Sequence, residues 1–158
     1  MTDLPGLLRA LDGAGVEFII VGGVAATVHG SARLTQDLDV VYRRTPGNLP
    51  RVVEALRGHA PYLRGAPPGL PFRWDVDTVA RGLNFTLETS LGPIDLLGEI
   101  VGGGTYDALM AHTLEVELFD VKCRCLDLPT LIRVKRAAGR PRDLDAVAEL
   151  ERLLEERG

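Results

Sequence analysis

Apolar residues recur along the chain in helical and strand-like rhythms that alternate through its first half. Leu7, Leu8 and Leu11 fall at helical spacing within Leu4 to Ala14, and Gly13 and Gly15 close that segment. Val16 to Val21 is a short run rich in β-branched residues, the composition of a buried strand. Gly22-Gly23 stops it. A second helical pattern covers Val24 to His29 and ends at Gly30, and Asp37 to Tyr42 alternates as a second strand. After Pro46, the segment Leu49 to Leu56 puts Val52, Val53 and Leu56 on one helical face.

The middle of the chain changes character. Pro61 to Pro71 holds four prolines and two glycines, which predicts a loop with no packed element of its own. Leu83 to Glu88 and Pro93 to Leu97 read as a hairpin across Ser90-Leu91-Gly92. Gly102-Gly103-Gly104 breaks the chain before a short helix, Tyr106 to Ala111. Leu114 to Phe119 and Val121 to Leu126 form a second hairpin, turning at Asp120. The last third is helical: Leu131 to Ala138 ends at Gly139, and Pro141 opens a helix with Val147, Leu150 and Leu154 on one face. The predicted class is α+β, a mixed β-sheet flanked by helices. It reads as one domain, residues 1–158, with a core to about residue 126 and C-terminal helices over about 127–158.

Composition narrows the classes. At 158 residues, 46% hydrophobic and 25% charged, the chain matches an ordinary folded domain and not a disordered one. A net charge of -4 argues against a broadly basic nucleic-acid platform, although recognition depends on where charge sits. The two cysteines, Cys123 and Cys125, are one residue apart on a strand, an awkward geometry for a disulfide, and no further cysteines complete a zinc site. Reduced thiols, no signal-peptide pattern and no long apolar run give the expectation of a cytoplasmic protein without a membrane span.

Candidate chemistry centres on carboxylates. Asp37-Leu38-Asp39 opens a strand, so period-two geometry sets both acids on one face and Leu38 and Val40 on the other. Adjacent carboxylates repel unless a cation lies between them, and magnesium takes one or two carboxylates plus substrate phosphates. The plain alternative is a pair of solvated acids at a strand end. The chain supplies its own controls, because Asp-x-Asp occurs three times. Asp75-Val76-Asp77 and Asp143-Leu144-Asp145 both sit at helix starts, where acids are expected from the helix dipole. Asp37 and Asp39 alone follow a strand, a Gly-Gly turn and a short helix. That turn, Gly22-Gly23, is itself a weak phosphate-site signal, since glycine pairs end many strands.

The stretch Val21-Gly22-Gly23-Val24-Ala25-Ala26, then His29-Gly30, Arg33, Thr35 and Asp37-Leu38-Asp39, resembles the signature of the nucleotidyltransferase superfamily. Within it the chain is similar to the abortive-infection toxin-type minimal nucleotidyltransferases of bacteria. The resemblance implies that the glycine turn positions the triphosphate and that Asp37 and Asp39 bind metal. A third carboxylate from a later strand completes the set, and Asp95 in Gly92-Pro93-Ile94-Asp95-Leu96-Leu97 matches it. It also implies Mg2+ as cofactor, as two ions: Asp37 and Asp39 on both, assisting pyrophosphate departure, and Asp95 helping to activate an attacking hydroxyl. Partners that follow are a nucleoside triphosphate, an RNA, protein or small-molecule acceptor, and a cognate antitoxin if the chain is the toxin of a pair. A non-catalytic nucleotide-binding or antitoxin-like protein on the same fold is the rival, and a third reading makes Asp143 to Leu154 a dimer seam.

The likeness extends to Lys135, Arg140, Arg142 and Asp143, which match the lysine, arginine and acidic positions those toxins carry after the core sheet. Arg133, Lys135, Arg136, Arg140 and Arg142 form the densest basic run, with no acid between them. Two readings stand side by side: Lys135 and Arg140 contacting phosphates, or a solvated helix face compensating a dipole. Arg33 orients phosphate or holds its loop, and Thr35 reads as a loop residue. His29 packs, caps or acts, whereas His59 and His112 are isolated. Trp74 either stacks a base or anchors the proline-rich segment.

Overall fold

The computed structural model describes residues 2–157. It is a mixed α+β structure whose centre is a seven-stranded sheet. Helix α1 (Leu4–Gly13) starts at Asp3, whose carboxylate accepts from the Gly6 amide, and buries Leu7, Leu8 and Leu11. Strand β1 (Phe18–Val21) is buried throughout, so its apolar run is continuous and not alternating. Helix α2 (Gly22–Val28) follows without a loop. It begins at the glycine turn itself, two residues ahead of the expected Val24. Strand β2 (Leu38–Tyr42) and helix α3 (Leu49–Arg57) match the sequence pattern, and α3 buries the expected Val52, Val53 and Leu56.

The proline-rich segment departs from expectation. Tyr62–Leu63 forms β3, a two-residue edge strand paired antiparallel with β4 (Asn84–Thr89) through Tyr62 opposite Glu88 and Leu63 opposite Leu87. Proline count hid it, because edge positions tolerate proline where a central strand does not. Phe72 and Trp74 then tie the rest of the segment down. The Trp74 indole donates to Val53 O at 3.0 Å and meets Phe85 edge-on, so the anchoring role is the one the structure supports. Helix α4 (Val76–Arg81) is capped by Asp75, which accepts from the Thr78 amide.

Strand β5 (Gly92–Leu97) completes the first hairpin. A small unpredicted ribbon, β6 (Glu99–Ile100) with β7 (Gly104–Thr105), occupies the glycine-rich break. The short helix after it stops early: α5 (Tyr106–Leu109) passes into a 3-10 turn, Met110–His112. Strands β8 (Thr113–Leu118) and β9 (Val121–Leu126) form the second hairpin, with Phe119 and Asp120 at φ 51° and 66°, a pair of positive values suited to a two-residue hairpin turn. Helix α6 (Leu128–Ala138) is capped by Asp127 and ends at Gly139 with φ 70°, and α7 (Pro141–Arg157) closes the chain.

Strand order is β3-β4-β5-β2-β1-β9-β8. β2 and β5 run parallel, as do β1 and β9, while the other neighbours are antiparallel. Helices α1, α3 and α4 pack in one group and α2, α6 and α7 in another. Ile19, Ile20, Val40 and Leu96 are fully buried at the sheet centre, where truncation to alanine typically costs about 2–5 kcal/mol for Leu or Ile. Cys123 and Cys125 are buried free thiols. Among the described residues no helix is long and apolar enough to cross a membrane.

Candidate functional site

The parallel register of β2 on β5 sets Asp39 directly beside Asp95. Each is the acid in an otherwise apolar strand, so both carboxylates rise from the same sheet face, while Leu38, Val40, Ile94 and Leu96 fill the core. Asp37 joins from the last residue before β2. One oxygen from each of the three lies within 4.8 Å of the others. Asp39 and Asp95 are partly buried, and Asp39 Oδ1 is a buried oxygen with no hydrogen-bond partner.

This arrangement is electrostatically costly. The Asp39 carboxyl is pushed up to about 7, first by burial, then by the charge of Asp95 and a hydrogen bond to it, then by Asp37; Lys135 acts in the opposite direction. Buried and crowded by two other acids, the Asp39 carboxyl therefore holds its proton more tightly than a free carboxyl does. An all-oxygen set with an orphaned buried oxygen fits a hard divalent cation such as magnesium, which would take the proton's place.

The glycine turn is shaped by these same acids. Gly22 adopts φ 66°, and a Cβ there would fall on the Asp39 carboxylate; a Cβ on Gly23 would stand 2.6 Å from Thr35 Oγ1. Thr35 donates to Asp37 O at 3.1 Å, so it holds the loop that delivers Asp37. From α7, Glu149 accepts from Ser31 Oγ at 2.6 Å and Ala32 N at 3.3 Å, and pairs with Arg33 at 3.6 Å. The loop leading to the acids is thereby tied to the C-terminal helix.

A cavity of about 350 Å³ opens over the acids. Gly23, Arg33, Asp37, Asp39, Asp95, Lys135, Arg140 and Arg142 all line it. The basic strip therefore divides. Lys135 is partly buried, and burial lowers its pKa against the opposing pull of Asp143 and Asp39. Arg140 is gripped by Asp143, with Nε 2.5 Å and Nη2 3.2 Å from its carboxylate oxygens. Arg133 instead donates to Gly102 O, and Arg136 pairs with Glu151 on α7. A second cavity, about 270 Å³, lies on the other side of Asp39, Lys135 and Arg140 under Leu97, Ile100, Leu131 and Val134.

His29 stands apart from the carboxylates. Its Nε2 lies 2.7 Å from Leu126 O, and since a carbonyl only accepts, Nε2 carries the proton. Nδ1 then accepts from Arg157 Nη1 at 3.1 Å, so the ring pins α2 to β9 and α7.

Sequence reasoning passed over Arg64 entirely. It follows β3 and brings Nη2 to 2.9 Å from Asp95 Oδ1 and Nη1 to 3.8 Å from Asp37 Oδ2. The signal that hides it is the surrounding proline and glycine. No protein-family model matches the chain, and no curated protein is significantly similar to it.

Proposed function

We propose that the chain is a metal-dependent nucleotidyltransferase that moves a nucleoside monophosphate from a triphosphate to a hydroxyl acceptor. The observation carrying this reading is the convergence of Asp37, Asp39 and Asp95 within 4.8 Å, on a cavity also lined by Lys135 and Arg140. Asp37, Asp39 and Asp95 would hold Mg2+, which when bound neutralises triphosphate charge and polarises the reacting phosphoryl group. Gly22 lets the turn pack directly on Asp39, and Gly23 lines the cavity in which the triphosphate would lie.

The residues then have separable tasks. Asp39 must release its proton before it can act as a ligand, and Lys135 favours that release. Lys135 and Arg140 would pair with the triphosphate, and Arg33, across the cavity, with its outer end. The acceptor oxygen forms its bond to the α-phosphorus as the bond to the pyrophosphate oxygen breaks. The acceptor's proton passes to the Asp95 carboxylate. RNA 3′ ends, protein hydroxyls and small molecules all suit this chemistry as acceptors. A net acidic chain with one basic strip beside the site favours RNA or a protein as acceptor, and the resemblance to abortive-infection toxins adds an antitoxin as partner.

The test is incubation of the purified protein with each α-labelled triphosphate, magnesium, and either total RNA or cell lysate. Label transferred to a macromolecule, and lost in Asp39→Asn, is the expected result. Magnesium-dependent triphosphate binding without transfer to any acceptor would instead favour the non-catalytic nucleotide-binding reading.

A further inference from the structure

Arg64 belongs to none of the motifs that mark the acidic site, yet among the described residues it is the basic side chain in ion-pair contact with that site's acids. It is not a mobile surface cation. Its amide donates to Thr86 O at 3.0 Å as β3 ends, and Nη2 donates to Leu87 O at 2.9 Å. The guanidinium is thus fixed to β4, three-quarters buried, and laid across the strand toward β5. From there it meets Asp95 Oδ1 at 2.9 Å, Glu88 Oε1 at 3.5 Å and Asp37 Oδ2 at 3.8 Å.

We propose that Arg64 is the built-in counter-cation of Asp95 and limits the acidic site to a single divalent ion, held through Asp37, Asp39 and the other oxygen of Asp95. This rests on the metal and triphosphate reading above. A guanidinium stays charged at every accessible pH, so it neutralises Asp95 without depending on conditions. A magnesium ligand must approach to about 2.0–2.1 Å, and Asp95 Oδ1 is already covered by a donor of the same sign as the ion. Asp39 Oδ1 and Asp95 Oδ1 are both buried without a hydrogen bond, but Arg64 stands 2.9 Å from Asp95, whereas among the described residues no basic side chain forms an ion pair with Asp39. Arg64 therefore supplies positive charge at Asp95, and the need for a further cation falls on Asp39.

The experiment is a count of Mn2+ ions bound per chain, by electron paramagnetic resonance with a saturating non-hydrolysable triphosphate. The wild-type chain binds one, Arg64→Gln binds a second, and Glu88→Gln, which loses only the outer carboxylate, stays at one. Two ions on the wild-type chain overturn the proposal whatever the variants do, and so does one ion on Arg64→Gln with its unfolding transition intact. Should the wild-type chain bind neither Mn2+ nor triphosphate, the metal reading itself falls, and the proposal with it.

Discussion

The carboxylate of Asp39 sits where a side chain on Gly22 would have to be: a Cβ at residue 22 would stand 2.9 Å from Asp39 Cγ and closer still to its Oδ2. The turn and the acid are a single fitted unit. Glycine at residue 22 is required twice over, by φ 66° and by the acid above it. That gives the Gly-Gly turn a reason that precedes any ligand, namely letting β1 approach the acid strand closely enough to cradle its carboxylate.

Gly22→Ala should therefore lower stability by about 2 kcal/mol, combining left-handed strain with displacement of Asp39. Part of that loss should return when Asp39→Ala is added, because the second change vacates the contested space. Chemical denaturation of the two single variants and the double variant measures the coupling. Strictly additive effects would show that residue 22 and Asp39 are not in conflict.

The proton on Asp39 predicts a pH dependence of stability. Its pKa in the folded state is raised to about 7 from 3.8. For a raised acid, the folded state binds the proton more tightly than the unfolded one. The associated stability is present in full below about pH 3.8 and is lost as pH rises to about 7. Asp39→Asn keeps the shape and removes the charge, so in chelator at pH 8 it should be more stable than the wild type. One pKa unit corresponds to about 1.4 kcal/mol, and water in the open cavity keeps the gain to roughly 1–2 kcal/mol. At pH 4 the two proteins should melt together. A variant less stable than wild type at pH 8 would remove the electrostatic strain from this account.

The same substitution separates metal from fold. Asp39→Asn should abolish magnesium-dependent triphosphate binding in calorimetry, a loss of a few kcal/mol for a charged ligand removed. Asp75→Asn, Asp77→Asn and Asp145→Asn should leave it unchanged. Asp75 caps α4, and Asp77 pairs with Arg81 one turn on, so both have local duties away from the cavity. A loss in Asp77→Asn as large as in Asp39→Asn would place the metal at Asp75 and Asp77 instead.

Much of this architecture was legible because local signals agreed with the fold. Asp75 and Gly139 mark a helix start and a helix end where the structure has them, and the strands at Val16 to Val21 and Asp37 to Tyr42 carry the β-branched pattern that burial demands. Asp95 was recognisable as a lone acid in an apolar strand. What escaped was decided by pairing across sequence. Strand β3 exists because Tyr62 and Leu63 find the free edge of β4, and Arg64 reaches the acids only because that pairing sets its direction. No window around Pro61 contains that information. His29 shows the same limit: its partners, Leu126 and Arg157, are 97 and 128 residues away.

The division of the basic strip is the sharpest remaining test of how the C-terminal helices serve the site. Sequence presents five cations in one run. The structure turns Lys135 and Arg140 toward the carboxylates, while Arg133 is bound to Gly102 O and Arg136 to Glu151. Position on α6 explains the split, since residues 133 and 136 share a face that residue 135 does not. If Lys135 meets triphosphate, Lys135→Met should weaken binding about tenfold or more, because a partly buried cation loses a charge-assisted contact that water does not replace. Its affinity should also fall less steeply with salt than the wild type's, one opposite charge having left the site. Arg136→Ala should disturb only the α6–α7 contact, lowering thermal stability slightly with triphosphate affinity untouched. Binding measured by calorimetry at two salt concentrations, alongside melting curves, distinguishes the two faces. Equal losses of affinity in Lys135→Met and Arg136→Ala would return the strip to ordinary surface charge and take Lys135 out of the mechanism.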